Sequence, residues 1–96
     1  MIDRAFVRIE AKEGKEDEVE SFLRDALAAV REEDKTIDWF AVKFGKRDFA
    51  IFDTFPDGSG RLAHLAGKVG RALTAKKPTL IEGLPKIEHT EVLTSK

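Results

Sequence analysis

The sequence predicts an α+β domain: one antiparallel four-stranded sheet with two helices on a single face, in the order βαββαβ. Three observations point there. Residues 4–12 alternate between apolar and polar side chains, residues 19–30 carry an apolar stripe at helical spacing, and residues 37–55 read as a β-hairpin.

In the first strand Ala5, Val7, Ile9 and Ala11 fall on one side, with Phe6, Arg8 and Glu10 on the other. Gly14 breaks it, and the acidic run Glu16, Asp17, Glu18 suits the positive end of a following helix. Val19, Phe22, Leu23, Ala26, Leu27 and Val30 then form a single apolar stripe, on a helix expected to end near Glu33. Two strands follow, joined at Gly45-Lys46-Arg47-Asp48. Past Pro56-Asp57-Gly58-Ser59-Gly60, with Asp57 or Ser59 as N-cap, a second helix is expected through about Ala75. Its stripe is Leu62, Leu65, Val69, Ala72 and Leu73. Residues 76–84 read as a connecting loop with at most one helical turn, and residues 85–93 as the last strand, with Pro85 at its start, where no ladder bond is lost. The order is that of the ferredoxin-like, split βαβ plan, whose right-handed crossovers bring both helices to one side.

The hairpin carries the functional reading. A tight turn at residues 45–48 would put Phe40, Val42, Phe44, Phe49, Ile51, Asp53 and Phe55 on one face. Ile37, Trp39, Ala41, Ala50, Phe52 and Thr54 would then share the other. Both faces are apolar, and two helices cover only one. With Trp39, Phe52 and Ile37, the uncovered face would hold on the order of 400 to 500 Å² of apolar surface. At about 25 cal/mol per Å², leaving it wet costs ~10 kcal/mol, comparable with the whole stability of a small domain. A partner chain or a ligand is therefore expected to cover it, the alternative being a register shifted by one residue or loops folded over the sheet.

Composition narrows the partners. The 96 residues are expected to form one domain, with 17 Lys+Arg against 18 Asp+Glu and a net charge of -1, so no global field draws nucleic acid or an anionic membrane. Residues 47–52 partly match the RNA-binding RNP1 pattern, but Asp48 replaces its glycine and Ile51 a stacking aromatic, so no nucleic-acid partner is expected. There is no cysteine, which removes disulfides, thiolate nucleophiles and sulfur-ligated metals together. No leader or long apolar run stands out, so neither export nor a membrane partner is expected, and a cytoplasmic location is the default.

Few residues offer chemistry. Arg61, His64, Lys68 and Arg71 share a helix face that is either solvated or, at His64, placed to take a proton from a phenol-like substrate. Arg8 reads either as a paired strand charge or as a clamp for a carboxylate or enolate. Asp53, among apolar neighbours, is either desolvated by burial or tied by a strand-end hydrogen bond. The phenylalanines and Trp39 are core and interface material first, with some left to line a cavity for a flat aromatic ligand. His89 and His64 are too far apart in sequence to signal a metal site.

Residues 7–15, 39–45 and 52–57 running on to Ala63-His64-Leu65 resemble the antibiotic biosynthesis monooxygenase family of the dimeric α+β barrel superfamily, with the likeness extending over about residues 4–93. The resemblance implies a homodimer packed through the open sheet face. It also implies a pocket between sheet and helices, and oxidation of electron-rich aromatics by O₂ with no metal, flavin or other cofactor. Carried over to this chain, it matches His64 to the helix histidine common in the family; joined to the readings of single residues above, this gives His64 as proton acceptor and Arg8 or Arg61 meeting the anion, with Trp39, Ile51, Asp53 and Phe55 around a small aromatic ligand. Phe55 stands where many relatives have tryptophan, and its place in the family puts it on the helix side, leaving Trp39 and Phe52 at the dimer seam. Ile51 stands where quinone-forming members have asparagine, and the chain has no tyrosine. A non-catalytic, ligand-binding or stress-related dimer of the same fold is the competing expectation. Related haem-degrading proteins use a histidine further along the second helix, and residues 68–72 contain none.

Overall fold

A computed structural model describes residues 3–56, 59, 67–90, 93–94 and 96. Strands β1 (Asp3–Glu10), β2 (Asp38–Lys43), β3 (Asp48–Phe55) and β4 (Lys86–His89) form one antiparallel sheet in the order β2-β3-β1-β4. Helices α1 (Glu16–Val30) and α2 (Lys68–Leu80) cover one face of it. This is the ferredoxin-like α+β architecture that the element order predicts.

Packing explains the elements. Val19, Leu23, Ala26 and Val30 recur along α1 at i, i+4, i+7 and i+11, and all four are buried. Val19 and Leu23 meet Val7, Ile9, Phe49 and Ile51 of the sheet, while Ala26 and Val30 meet Val69 of α2. The helix ends at Val30, three residues before the expected end, and the chain continues in turns closed by Glu32 N–H to Ala29 O and Glu33 N–H to Val30 O. Gly14, at φ +84°, supplies the left-handed turn between β1 and α1 that a residue with a Cβ resists.

The hairpin differs from the sequence expectation by one residue. A two-residue turn would pair Phe44 with Phe49, whereas Lys43 pairs with Phe49 and a three-residue loop, Gly45-Lys46-Arg47, closes through Phe44 N–H to Asp48 O at 3.0 Å. The extra residue is held from β1. Arg47 accepts the Ala11 N–H at its carbonyl, and its guanidinium donates to Glu10 Oε1 at 2.7 Å. Because side chains alternate with period two, one added residue turns β2 over. Trp39, Ala41 and Lys43 join Phe49, Ile51, Asp53 and Phe55 on the helix-facing side, and Phe40 and Val42 join Ala50, Phe52 and Thr54 on the open side. Phe55 is on the helix side, as its place in the family implies, but Trp39 is there too rather than at the seam.

The second correction concerns α2, which runs to Leu80 instead of stopping near Ala75 and includes Pro78. Pro78 gives up the bond its missing N–H would make to the Thr74 carbonyl and crowds that carbonyl, a local cost of about 3 kcal/mol. Continuing the helix carries Leu80 and Ile81 into the core, where they are 6% and 3% exposed. The end is tied to β1 by Lys12 N–H to Leu80 O and Glu82 N–H to Glu10 O, both 2.8 Å, and by a bridge between Ala11 and Ile81. Gly83, at φ +66°, then turns the chain into β4, which is shorter than the expected strand at Lys86–His89. The expected start of the second helix at Asp57 lies outside the described residues.

Candidate functional site

Between the sheet and α2 lies a cavity of about 380 Å³. Its floor is the helix-facing row of the two central strands: Ala5 and Val7 of β1, and Ile51, Asp53 and Phe55 of β3. Its roof is one face of α2, where Val69, Leu73 and Lys77 recur every fourth residue, flanked by Gly70 and Thr74. Leu84, Pro85 and Ile87 close the side toward β4. The size and apolar walls suit a small, flat organic molecule.

Asp53 is the one carboxylate among the described lining residues. It is 2% exposed, opposite Ala5 on one neighbouring strand and Trp39 on the other. A carboxylate in so dry a place meets a ligand hydroxyl with little competition from water, so its hydrogen bond there is stronger than at a surface. The hydroxyl of Thr74 is turned back onto Gly70 O at 3.0 Å.

The structure brings together three of the residues singled out from the sequence: Ile51, Asp53 and Phe55 all face the cavity. Trp39 does not line it. It packs against both core clusters beneath α1, with its indole Nε1 buried and without an acceptor among the described residues. Arg8 is on the opposite side of the sheet, in the row of Phe6 and Phe52, with its guanidinium carbon 5.3 Å from the centroid of the Phe44 ring. The sheet stands between it and Asp53, so Arg8 does not reach a ligand in this cavity. His64 and Arg61 lie outside the described residues, as does the His89 side chain.

Sequence reasoning misses Lys77 because it expects the second helix to stop before it, Thr74 because it falls off the expected apolar stripe, and Leu84 because it lies in the connecting loop. The spacing of Val69, Leu73, Lys77 and Leu80, at i, i+4, i+8 and i+11, was the available signal. Pro78 masked it.

The open side of the sheet is apolar and exposed. Phe40 and Phe44 are 57% and 54% exposed, Val42 is exposed beside them, and Phe6 and Phe52 are half-buried. Charged residues Arg8, Glu10, Lys86 and Glu88 lie toward β1 and β4. Among the described residues no helix is long and apolar enough to cross a membrane.

No family model and no curated protein matches the chain. Solved structures do. A protein of unknown function from Nitrosomonas europaea is 45% identical over 100% of this chain and 94% of its own, with a TM-score of 0.93. A Pseudomonas aeruginosa protein at 17% identity covers 97% and 95% of the two chains with a TM-score of 0.84. An antibiotic biosynthesis monooxygenase at 14% identity covers 98% and 100% with a TM-score of 0.84. The chain thus belongs to one family with the Nitrosomonas europaea protein and has the fold of the antibiotic biosynthesis monooxygenases.

Proposed function

We propose that this single domain is a cofactor-independent monooxygenase acting on a small aromatic or quinonoid metabolite held between the sheet and α2. The observation that carries the reading is the apolar cavity with one buried carboxylate, Asp53, in its floor. A phenol that loses its proton becomes electron-rich enough to give an electron to O₂, and an apolar enclosure protects the intermediates from water. The reaction balances without a second reductant: a phenol and O₂ yield a quinone and water, one oxygen atom entering the ring and the other leaving as water. The protein's part is to bind the ring, accept the proton and stabilise the anion. Asp53 and His64 are the proposed proton acceptors, Ile51 and Phe55 the walls, and Arg61 a partner for the anion. Arg8 has no part in this cavity.

The active assembly is proposed to be a cytoplasmic homodimer joined through the open sheet face. Support comes from the exposed row Phe40, Val42 and Phe44 next to half-buried Phe6 and Phe52, a contiguous apolar patch of the kind that marks an interaction surface.

A second reading has its own support. Ile51, directly in the cavity wall, replaces the asparagine of quinone-forming members, which favours a binding module of the same fold that performs no oxidation. Oxygen consumption with dihydroxy-aromatic substrates separates the two. Turnover that falls in His64→Ala or Asp53→Asn supports the enzyme, and no turnover by the wild type removes it.

A further inference from the structure

We infer that the cavity is electrically two-ended and takes an aromatic acid: a flat ring system with a hydroxyl at the Asp53 end and a carboxylate at the Lys77 end. The inference rests on the cavity being a ligand site and goes further by naming the ligand's charge and orientation.

Lys77 differs from the other cations of its helix. Lys68 is 3.9 Å from a Glu32 carboxylate oxygen, Arg71 Nε donates to Gly67 O, and Lys76 lies over the Phe22 ring. Lys77 is half-buried in the cavity roof, and its ammonium has no ion pair or hydrogen bond among the described residues. A lysine lays its stem along apolar walls while its ammonium stays hydrated, and no counter-ion among the described residues engages this one. A ligand anion held in the cavity supplies that partner.

The topology separates the two charges. The Ala11–Ile81 bridge fixes the C-terminal end of α2 over the end of β1. Lys77 is four residues back along the helix, whereas Asp53 is opposite Ala5, six residues back along the strand. Helical and strand rises then place their backbones about 14 Å apart along the cavity, and because helical side chains lean toward the helix N-terminus, the Lys77 ammonium comes to within on the order of 10 Å of the Asp53 carboxylate. That is about the span between the hydroxyl and carboxylate oxygens of a hydroxylated two-ring aromatic acid. A ligand bound this way presents its hydroxyl to the buried carboxylate in one orientation only, because reversing it would set carboxylate against carboxylate.

The test uses 6-hydroxy-2-naphthoic acid and 2-naphthol as probes, titrated by fluorescence against the wild type, Lys77→Met and Lys77→Arg. Met has an unbranched stem of similar length, so Lys77→Met is expected to leave the fold intact by circular dichroism. The wild type is expected to bind the acid about tenfold more tightly than the naphthol, the size of one charge-assisted contact. Lys77→Met is expected to erase that margin while moving naphthol binding less than about twofold, and Lys77→Arg to keep most of it. A margin that survives in Lys77→Met, or equal binding of the two probes by the wild type, overturns the two-ended cavity and leaves the ligand site standing. Binding of neither probe overturns both.

Discussion

Trp39 and Asp53 face each other directly across the β2–β3 ladder, both on the side of the sheet that the helices cover. One is core and the other lines a cavity, although they are neighbours. The indole is wedged under α1 against both core clusters, and the carboxylate is turned toward α2. The pairing divides the helix-facing layer into a packed half beneath α1 and a hollow half beneath α2.

Trp39→Ala is expected to lower stability by about 3 kcal/mol, because a large ring packed on both clusters is lost. Trp39→Phe is expected to cost less than about 1 kcal/mol, since the smaller ring also removes a buried N–H that has no acceptor among the described residues. Urea unfolding of the two variants checks the difference. Equal losses would mean that the indole nitrogen contributes a bond.

Asp53→Asn keeps the shape of the carboxyl group but cannot take a proton. Oxygen consumption is expected to fall about a hundredfold while ligand binding changes only a few-fold. A rate equal to wild type would move proton acceptance to another group, with His64 next in line.

On the open face, Phe40→Lys and Phe52→Lys are each expected to yield monomers in sedimentation equilibrium at micromolar protein, because a charge in the middle of an apolar contact must be desolvated without a partner. Phe49→Ala, by contrast, removes a core ring that is 1% exposed and is expected to cost about 3–5 kcal/mol. A dimer that survives both lysine substitutions would place the contact elsewhere.

Glu20 joins α1 to β2. Lys43 donates to one carboxylate oxygen at 3.2 Å and Arg24 to the other at 3.3 Å, and the hydrogen bond from Lys43, ahead of that from Arg24, holds the carboxyl below its ordinary range. A carboxyl depressed in the folded state binds fewer protons there than when unfolded. Its contribution is therefore complete above the ordinary glutamate pKa and lost as pH falls through the depressed value. Urea midpoints of wild type and Glu20→Gln are expected to converge as pH drops through that interval, with the wild type the more stable at neutral pH. Parallel curves would mean the pair adds nothing, as is common for exposed pairs.

Much of the fold was legible because its signals are local. Alternation in residues 4–12, the stripe Val19, Leu23, Ala26 and Val30, and the glycine at position 14 each act within a few residues, so the order βαββαβ and a half-covered sheet follow from the chain itself. The same alternation puts Ile51, Asp53 and Phe55 on one face of a strand, but it puts the core residue Phe49 there too, and what marked the three as pocket residues was the resemblance to the monooxygenase family. Two things depended on contacts between distant segments. Which way β2 faces was decided by one extra residue in the hairpin loop, held by Arg47 to Glu10 at the end of β1 and to Ala11 just past it, and a shift of one residue moves Trp39 and Phe40 to opposite sides. The length of α2 was decided by the burial of Leu80 and Ile81 against the end of β1, which outweighs the local cost of Pro78 and brings Lys77 over the cavity. Sequence by itself thus determined which segments are strands and helices, because propensity and periodicity act locally. Tertiary structure alone decided which side chains enclose the cavity and which are left on the open face, because register and helix length answer to packing across the whole sheet.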